Sequence, residues 1–218
     1  MAHRAGLGAG ALRYRTAPGS RSVINHPVAR KLAEADIRAY TAVARTAVPD
    51  GVDTGLRRLS RAADHSKISL TVAALLATRP GRPRLAAVAG VSAVGVASAS
   101  VNLLAKRLAR RPRPMRAEPG LFPRRHVLMP KSASFPSGHT ASAVAFAVAV
   151  GGVLPAAAVP LGALAAVVGY SRVHTGVHYP GDVAGGALLG AAGATLVLVG
   201  GRQKWSSALL TRLGAAPR

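Results

Sequence analysis

The sequence predicts an all-α integral membrane bundle of about five transmembrane helices, preceded by amphipathic helices at its N-terminal end. Three observations lead there. Half of the 218 residues are hydrophobic; the charge is segregated, with residues 85–105, 140–170 and 183–201 carrying none at all; and glycine and alanine dominate the last uncharged run. A bilayer core needs about 20 apolar residues per helix, so the first and last of these runs are long enough to span. Small residues such as Gly181, Gly185, Gly186, Gly190 and Gly193 let membrane helices approach closely.

In chain order, residues 1–28 read as a disordered basic tail, too rich in Arg, Gly, Ser and Pro to bury a core. Residues 29–66 read as amphipathic surface helices. Val28, Leu32, Ile37, Tyr40, Val43 and Val48 recur at helical spacing among basic residues, and a second helix is expected to start with Asp53 as its N-cap. Residues 67–201 form the membrane domain. Its first span, 68–78, is short and needs 62–67 to lengthen it, whereas 85–105 is the clearest transmembrane helix. A polar loop, 106–137, carries nine Lys or Arg. Two helices, 138–154 and 156–170, are joined at Pro155 so tightly that they must run antiparallel. The last helix opens at Pro180, whose fixed φ suits a first helical position, and ends near Gly201. Residues 202–218 are a basic C-terminal tail.

A net charge of +22 invites a nucleic-acid reading, but its separation from the apolar runs argues against one, and no nucleic-acid partner is expected. The absence of cysteine excludes disulfides, thiolate metal sites and a cysteine nucleophile. No secretory leader is recognisable before Arg21.

Three polar clusters end one span, begin the next, or join the last two, so helix counting puts them on one side of the membrane. Lys106 and Arg113 lie in the first, Pro136, Ser137, Gly138 and His139 in the second, and Ser171, Arg172, His178 and Asp182 in the third. Lys106, Arg113 and Arg172 offer three cations to phosphate oxygens. Ser137 and the amides near Gly138 add donors at a helix N-terminus. Asp182, the only acidic residue after Glu118, suits His178 as a partner: a carboxylate on one ring nitrogen leaves the other free to attack phosphorus. His139 then serves as general acid and, later, as base toward water. His174, His178 and Asp182 at four-residue spacing also suggest a metal face. Tyr179, Pro180 and Gly181 interrupt it, and no further carboxylate or thiolate nearby completes it, so neither metal nor cofactor is expected. Ser137 as nucleophile is a weaker alternative, because its turn position suits phosphate binding.

The pattern Lys, six residues, Arg-Pro; then Pro-Ser-Gly-His; then Ser-Arg, five residues, His, three residues, Asp resembles the three-part signature of the type 2 phosphatidic acid phosphatase superfamily, matching every fixed position. It covers 106–182 by motif and 60–201 by helix order. The resemblance implies a phosphatase acting on a lipid phosphomonoester or diphosphate, such as a polyprenyl phosphate, phosphatidic acid or a prenyl-linked sugar phosphate. It implies a phosphohistidine on His178, with His139 as acid, Asp182 orienting the nucleophile, and Lys106, Arg113, Ser137, Gly138 and Arg172 binding phosphate. The expected partners are the lipid phosphate and the membrane. Soluble vanadium haloperoxidases share the signature, but the spans argue against that branch. The weak first span departs from the six helices common among membrane members. The reading from another class is a basic membrane adaptor that binds anionic lipid or nucleic acid through its N-terminal tail.

The face holding the N-terminus and the clusters carries 22 Lys or Arg against seven on the other, and 19 when Lys106, Arg113 and Arg172 are set aside. Positive charge favours the cytoplasm, so the expected setting is a prokaryotic plasma membrane with the clusters facing inward. With Ala117→Cys in this cysteine-free chain, a membrane-impermeant thiol reagent should label the protein only after the cells are permeabilised. Labelling of intact cells would place the clusters outside.

Overall fold

The computed structural model describes residues 27–114, 125 and 127–212. Most of the basic tail, Ala117 and the chain end from 213 lie outside the described residues. Among those described, every regular element is helical: α1 (Pro27–Arg45), α2 (Asp50–Ala62), α3 (Lys67–Ala77), α4 (Arg82–Ala99), α5 (Lys106–Ala109), α6 (Gly138–Val153), α7 (Ala158–His174) and α8 (Pro180–Arg212), with a π-helical turn over Ser100–Ala105. Two units divide after Ala35. In the first, the described stretch is helical and carries an exposed ion pair one turn apart, Arg30 Nε to Glu34 Oε1 at 3.7 Å. Such a pair adds little stability in water.

The second unit holds the bundle. Segments Arg82–Ala109, Pro155–His174 and Pro180–Gly201 are long and apolar enough to cross a membrane, while α6, with 16 residues, and α3, with 11, are apolar but shorter. α6 lies at the centre, packed on α4, α7 and α8. Its seam is almost entirely alanine: Ala141, Ala145 and Ala149 meet Ala93, Ala97 and Val101 on one side and Ala194 on the other, all fully buried. Residues four apart share a helix face, so this spacing forms a narrow strip along which the backbones approach. α8 comes closest. A Cβ on Gly186 would run into the carbonyl of Ser137, and one on Gly190 into that of Ala141. The first turn of α6 is thereby set against the start of α8, which brings two of the motif clusters together. The outward faces are apolar, as at Leu188 (73% exposed) and Val159 (81%), which fits lipid as the surrounding solvent.

Several boundaries differ from the sequence expectation. α2 starts at Asp50, after Pro49, and Asp53 does not cap it. The Asp53 carboxylate is drawn instead to Arg125 Nε at 3.0 Å and His174 Nε2 at 2.6 Å. Residues 62–67 do not lengthen α3, because a 3-10 turn at Asp64–Ser66 breaks the chain there, with φ of 55° at His65 and 58° at Ser66. α7 runs on past Tyr170 to His174 and α8 past Gly201 to Arg212. Helix also persists beyond Ala105 to Ala109, and one residue opens it directly after the π-turn, a feature frequent at functional sites. That residue is Lys106.

Candidate active site

Asp182 organises the site from the first turn of α8. Its side chain is fully buried. Oδ1 accepts from Arg111 Nη1 at 2.8 Å; Oδ2 accepts from the Tyr179 amide at 2.8 Å and from the Ser134 hydroxyl. Its backbone carbonyl accepts the Ser137 amide at 2.9 Å. A carboxylate removed from water is tolerable only when so paired. Arg111 reaches on to Asp36 Oδ2 at 2.6 Å and stacks over Tyr179, 4.2 Å from the ring centre; Asp36 Oδ1 also accepts the Gly181 amide at 2.7 Å. The second half of α1, the loop before α6 and the turn before α8 thus share one ionic knot.

His178 lies just before α8, with Nδ1 3.5 Å from Asp182 Oδ2 and Nε2 3.2 Å from Arg113 Nη1. A guanidinium only donates, so Nε2 must present its lone pair and the ring proton belongs on Nδ1, facing Asp182. The Asp182 contact is longer than an ordinary hydrogen bond, and Nδ1 has no closer partner. Burial pushes the His178 pKa down to about 4, further helped by the charges of Arg113 and Arg172, while Asp182 pulls it back upward. The imidazole is therefore neutral near pH 7.

Of the three cations expected here, Arg113 is the one in contact with this nitrogen. Arg113 is fixed by the carbonyls of Val177 (2.7 Å) and Ser132 (2.9 Å), which aim its fork. Lys106 Nζ bonds the Ser132 hydroxyl at 3.3 Å, and a Cβ built on Gly138 would lie 3.9 Å from it, so the ammonium stands over the start of α6. Arg172, 2% exposed, gives Nη1 to Ser60 Oγ at 2.6 Å, whereas its Nε is buried and has no hydrogen-bond partner. Ser137 caps α6, its Oγ accepting from Thr140 Oγ1 at 3.0 Å, and its amide is committed to Asp182; its hydroxyl proton and the first amides of α6 are what it can offer an anion. His139 bonds Asp64 Oδ1 through Nε2 at 2.7 Å. His174 bonds Asp53, whereas His178 faces Asp182. Beside His139 opens an apolar groove between α3, α6 and α7, walled by Ile68, Val72, Phe146, Leu161, Leu164 and Val168.

All eight residues expected at the site therefore lie around one another at the same end of the bundle. Asp36, Asp53, Asp64, Arg111, Arg125, Ser60, Ser132 and Ser134 were not anticipated. The signal that could have found the acidic ones is scarcity. The chain has only seven carboxylates, and Asp36, Asp53, Asp64 and Asp182 each meet a cation or a histidine here.

The PAP2 superfamily profile matches residues 85–206. Over 156 residues, 68% of this chain and 81% of the relative, the sequence is 40% identical to the decaprenylphosphoryl-5-phosphoribose phosphatase of Mycobacterium tuberculosis. It is 38% identical over 142 residues, 62% of this chain and 72% of the relative, to the protein of the same name from Mycolicibacterium smegmatis. Among solved structures the fold resembles the first transmembrane PAP2 type phosphatidylglycerolphosphate phosphatase from Bacillus subtilis, with a TM-score of 0.64, 22% identity and coverage of 83% of this chain and 89% of that one. It also resembles Aquifex aeolicus LpxE, with a TM-score of 0.59, 23% identity and coverage of 74% and 93%.

The geometry predicts a neutral His178 ring near pH 6, about half a unit below the ordinary imidazole value, protonated on Nδ1. Nitrogen-15 spectra of histidine-labelled protein, assigned by loss of a signal in His178→Gln, should show this tautomer. An imidazolium signal at that pH would contradict it.

Proposed function

Because the chain belongs to the PAP2 superfamily and is a membrane lipid phosphatase, we propose that it removes the phosphate from a prenyl-linked sugar phosphate, without a metal ion, through a phosphohistidine on His178. The observation that carries this reading is the Arg113–His178 contact: a donor-only guanidinium 3.2 Å from Nε2 requires a lone pair on that atom, among the cations that would hold a phosphate.

The residues then divide the work as follows. Lys106, Arg113 and Arg172 bind the phosphate oxygens, and the buried Nε of Arg172 gains the acceptor it lacks. These charges, with Ser137 and the amides at Gly138, stabilise the negative charge that builds up at phosphorus, the task a metal performs elsewhere. His178 Nε2 attacks phosphorus, the bond to the sugar oxygen breaks, and His139 delivers a proton to that oxygen. In the second half, His139 takes a proton from water, the water oxygen attacks phosphorus, and the P–N bond breaks to release phosphate and restore neutral His178. Asp182 holds the Nδ1 proton throughout.

Two observations support a prenyl substrate. The relatives that share about two fifths of the matched sequence are named for decaprenylphosphoryl-5-phosphoribose. The groove beside His139 is walled by branched and aromatic side chains, a surface suited to a hydrocarbon chain entering sideways from the bilayer. On the charge asymmetry of the sequence, the site faces the cytoplasmic leaflet of a prokaryotic plasma membrane.

Purified protein in detergent should release phosphate fastest from a polyprenyl-linked ribose phosphate, more slowly from phosphatidic acid or a polyprenyl diphosphate. Chelator should leave the rate unchanged, and vanadate should inhibit. Inactivity on the whole panel would favour the adaptor reading, and recovery of chelator-lost activity by one divalent ion would overturn metal independence.

A further inference from the structure

Asp64 has no role in the reaction as drawn, yet it touches two of the residues that do. Its Oδ1 lies 2.7 Å from His139 Nε2 and 3.9 Å from Arg172 Nη1. It is delivered by the 3-10 turn between α2 and α3, where His65 and Ser66 both adopt left-handed φ, a conformation unfavourable for residues with a Cβ. One turn earlier in the chain, Ser60 presents its hydroxyl to Arg172. This corner thus places a hydroxyl on one site residue and a carboxylate on the other, and it lies N-terminal to the segment the family profile matches, residues 85–206.

We propose that Asp64 is a positioning residue that orients His139 and favours the charged, proton-donating form the ring takes on in the reaction. The inference rests on the role of His139 proposed above. With Nε2 engaged by Asp64, Nδ1 is the ring nitrogen left for the leaving oxygen. To act as an acid the ring must carry protons on both nitrogens, and its burial and the neighbouring Arg172 guanidinium oppose that charge. The Asp64 carboxylate acts against both at hydrogen-bond distance. When the P–O bond to the lipid breaks, the Nδ1 proton passes to the leaving oxygen, and the neutral ring keeps its Nε2 proton on Asp64. Nδ1 is then free to take a proton from water as the P–N bond is cleaved, which returns His139 to its starting state.

A merely structural tie, docking α2 onto the bundle, would predict a different pattern of loss. Asp64→Asn keeps the size and a hydrogen-bonding group but removes the charge. The test compares kcat/KM, which reports the steps through leaving-group departure, for dodecyl phosphate and for a nitrophenyl phosphate carrying the same alkyl chain. The alkoxide needs a proton to leave, and the nitrophenolate does not. Asp64→Asn should lower kcat/KM for the alkyl ester on the order of 10- to 100-fold, within the range of general acid catalysis, while changing the nitrophenyl ester by less than about threefold. Asp64→Glu should recover much of the alkyl rate. Equal losses on both esters, or no loss on either, would overturn the assignment. If the unaltered protein cleaves neither ester, the phosphatase reading itself fails, and this assignment with it.

Discussion

The rest of the structure depends on the burial of one carboxylate. Asp182 is fully withdrawn from water and survives there because Arg111, Ser134, the Tyr179 amide and, through its backbone, the Ser137 amide close around it. A buried charge that loses its partner is strongly destabilising, roughly 3–5 kcal/mol. The four groups come from the loop before α6, the N-cap of α6 and the turn before α8, so satisfying Asp182 fixes the relative position of the three motif clusters. The Gly186 and Gly190 contacts make this possible sterically, since any larger residue would hold α8 away from α6. The geometry of the candidate site and the helix packing are set by the same few residues.

The charge distribution around the site follows from the same constraint. The proposed phosphate site brings several cations close together, and like charges repel one another. Arg111 and Arg125 are held by Asp36 and Asp53, and Arg172 lies near Asp64, while Arg113 and Lys106 rest on carbonyl and hydroxyl oxygens. The second half of α1, α2 and the turn after it thus supply counter-charges around the candidate site.

The apolar helices and the meeting of the eight motif residues at one end of the bundle were legible in the sequence for a physical reason. Lipid excludes charge over a whole helix length, and phosphate chemistry demands particular residue types at fixed offsets from helix ends. The acidic partners were not legible. Asp36 meets Arg111 across 75 residues, Asp64 meets His139 across 75, and Asp53 meets His174 across 121, separations at which periodicity says nothing. The same blindness accounts for the misplaced start of α2: Asp53 has the chemistry of a cap, but a buried arginine and a histidine compete for its carboxylate more strongly than an amide does. α7 outlasts its apolar run where Ser60 accepts from Arg172 and Asp53 pairs with His174, contacts that help the helix carry polar residues into the interior.

The central claim is that His178 Nε2 is the atom that receives phosphorus. It is tested most directly by quenching turnover of a phosphorus-32-labelled lipid phosphate in alkali, which preserves phosphohistidine, and mapping the labelled peptide. The account predicts an acid-labile phosphate on His178 in the unaltered protein and none in His178→Ala. Label on Ser137, or turnover that persists in His178→Ala, would contradict it.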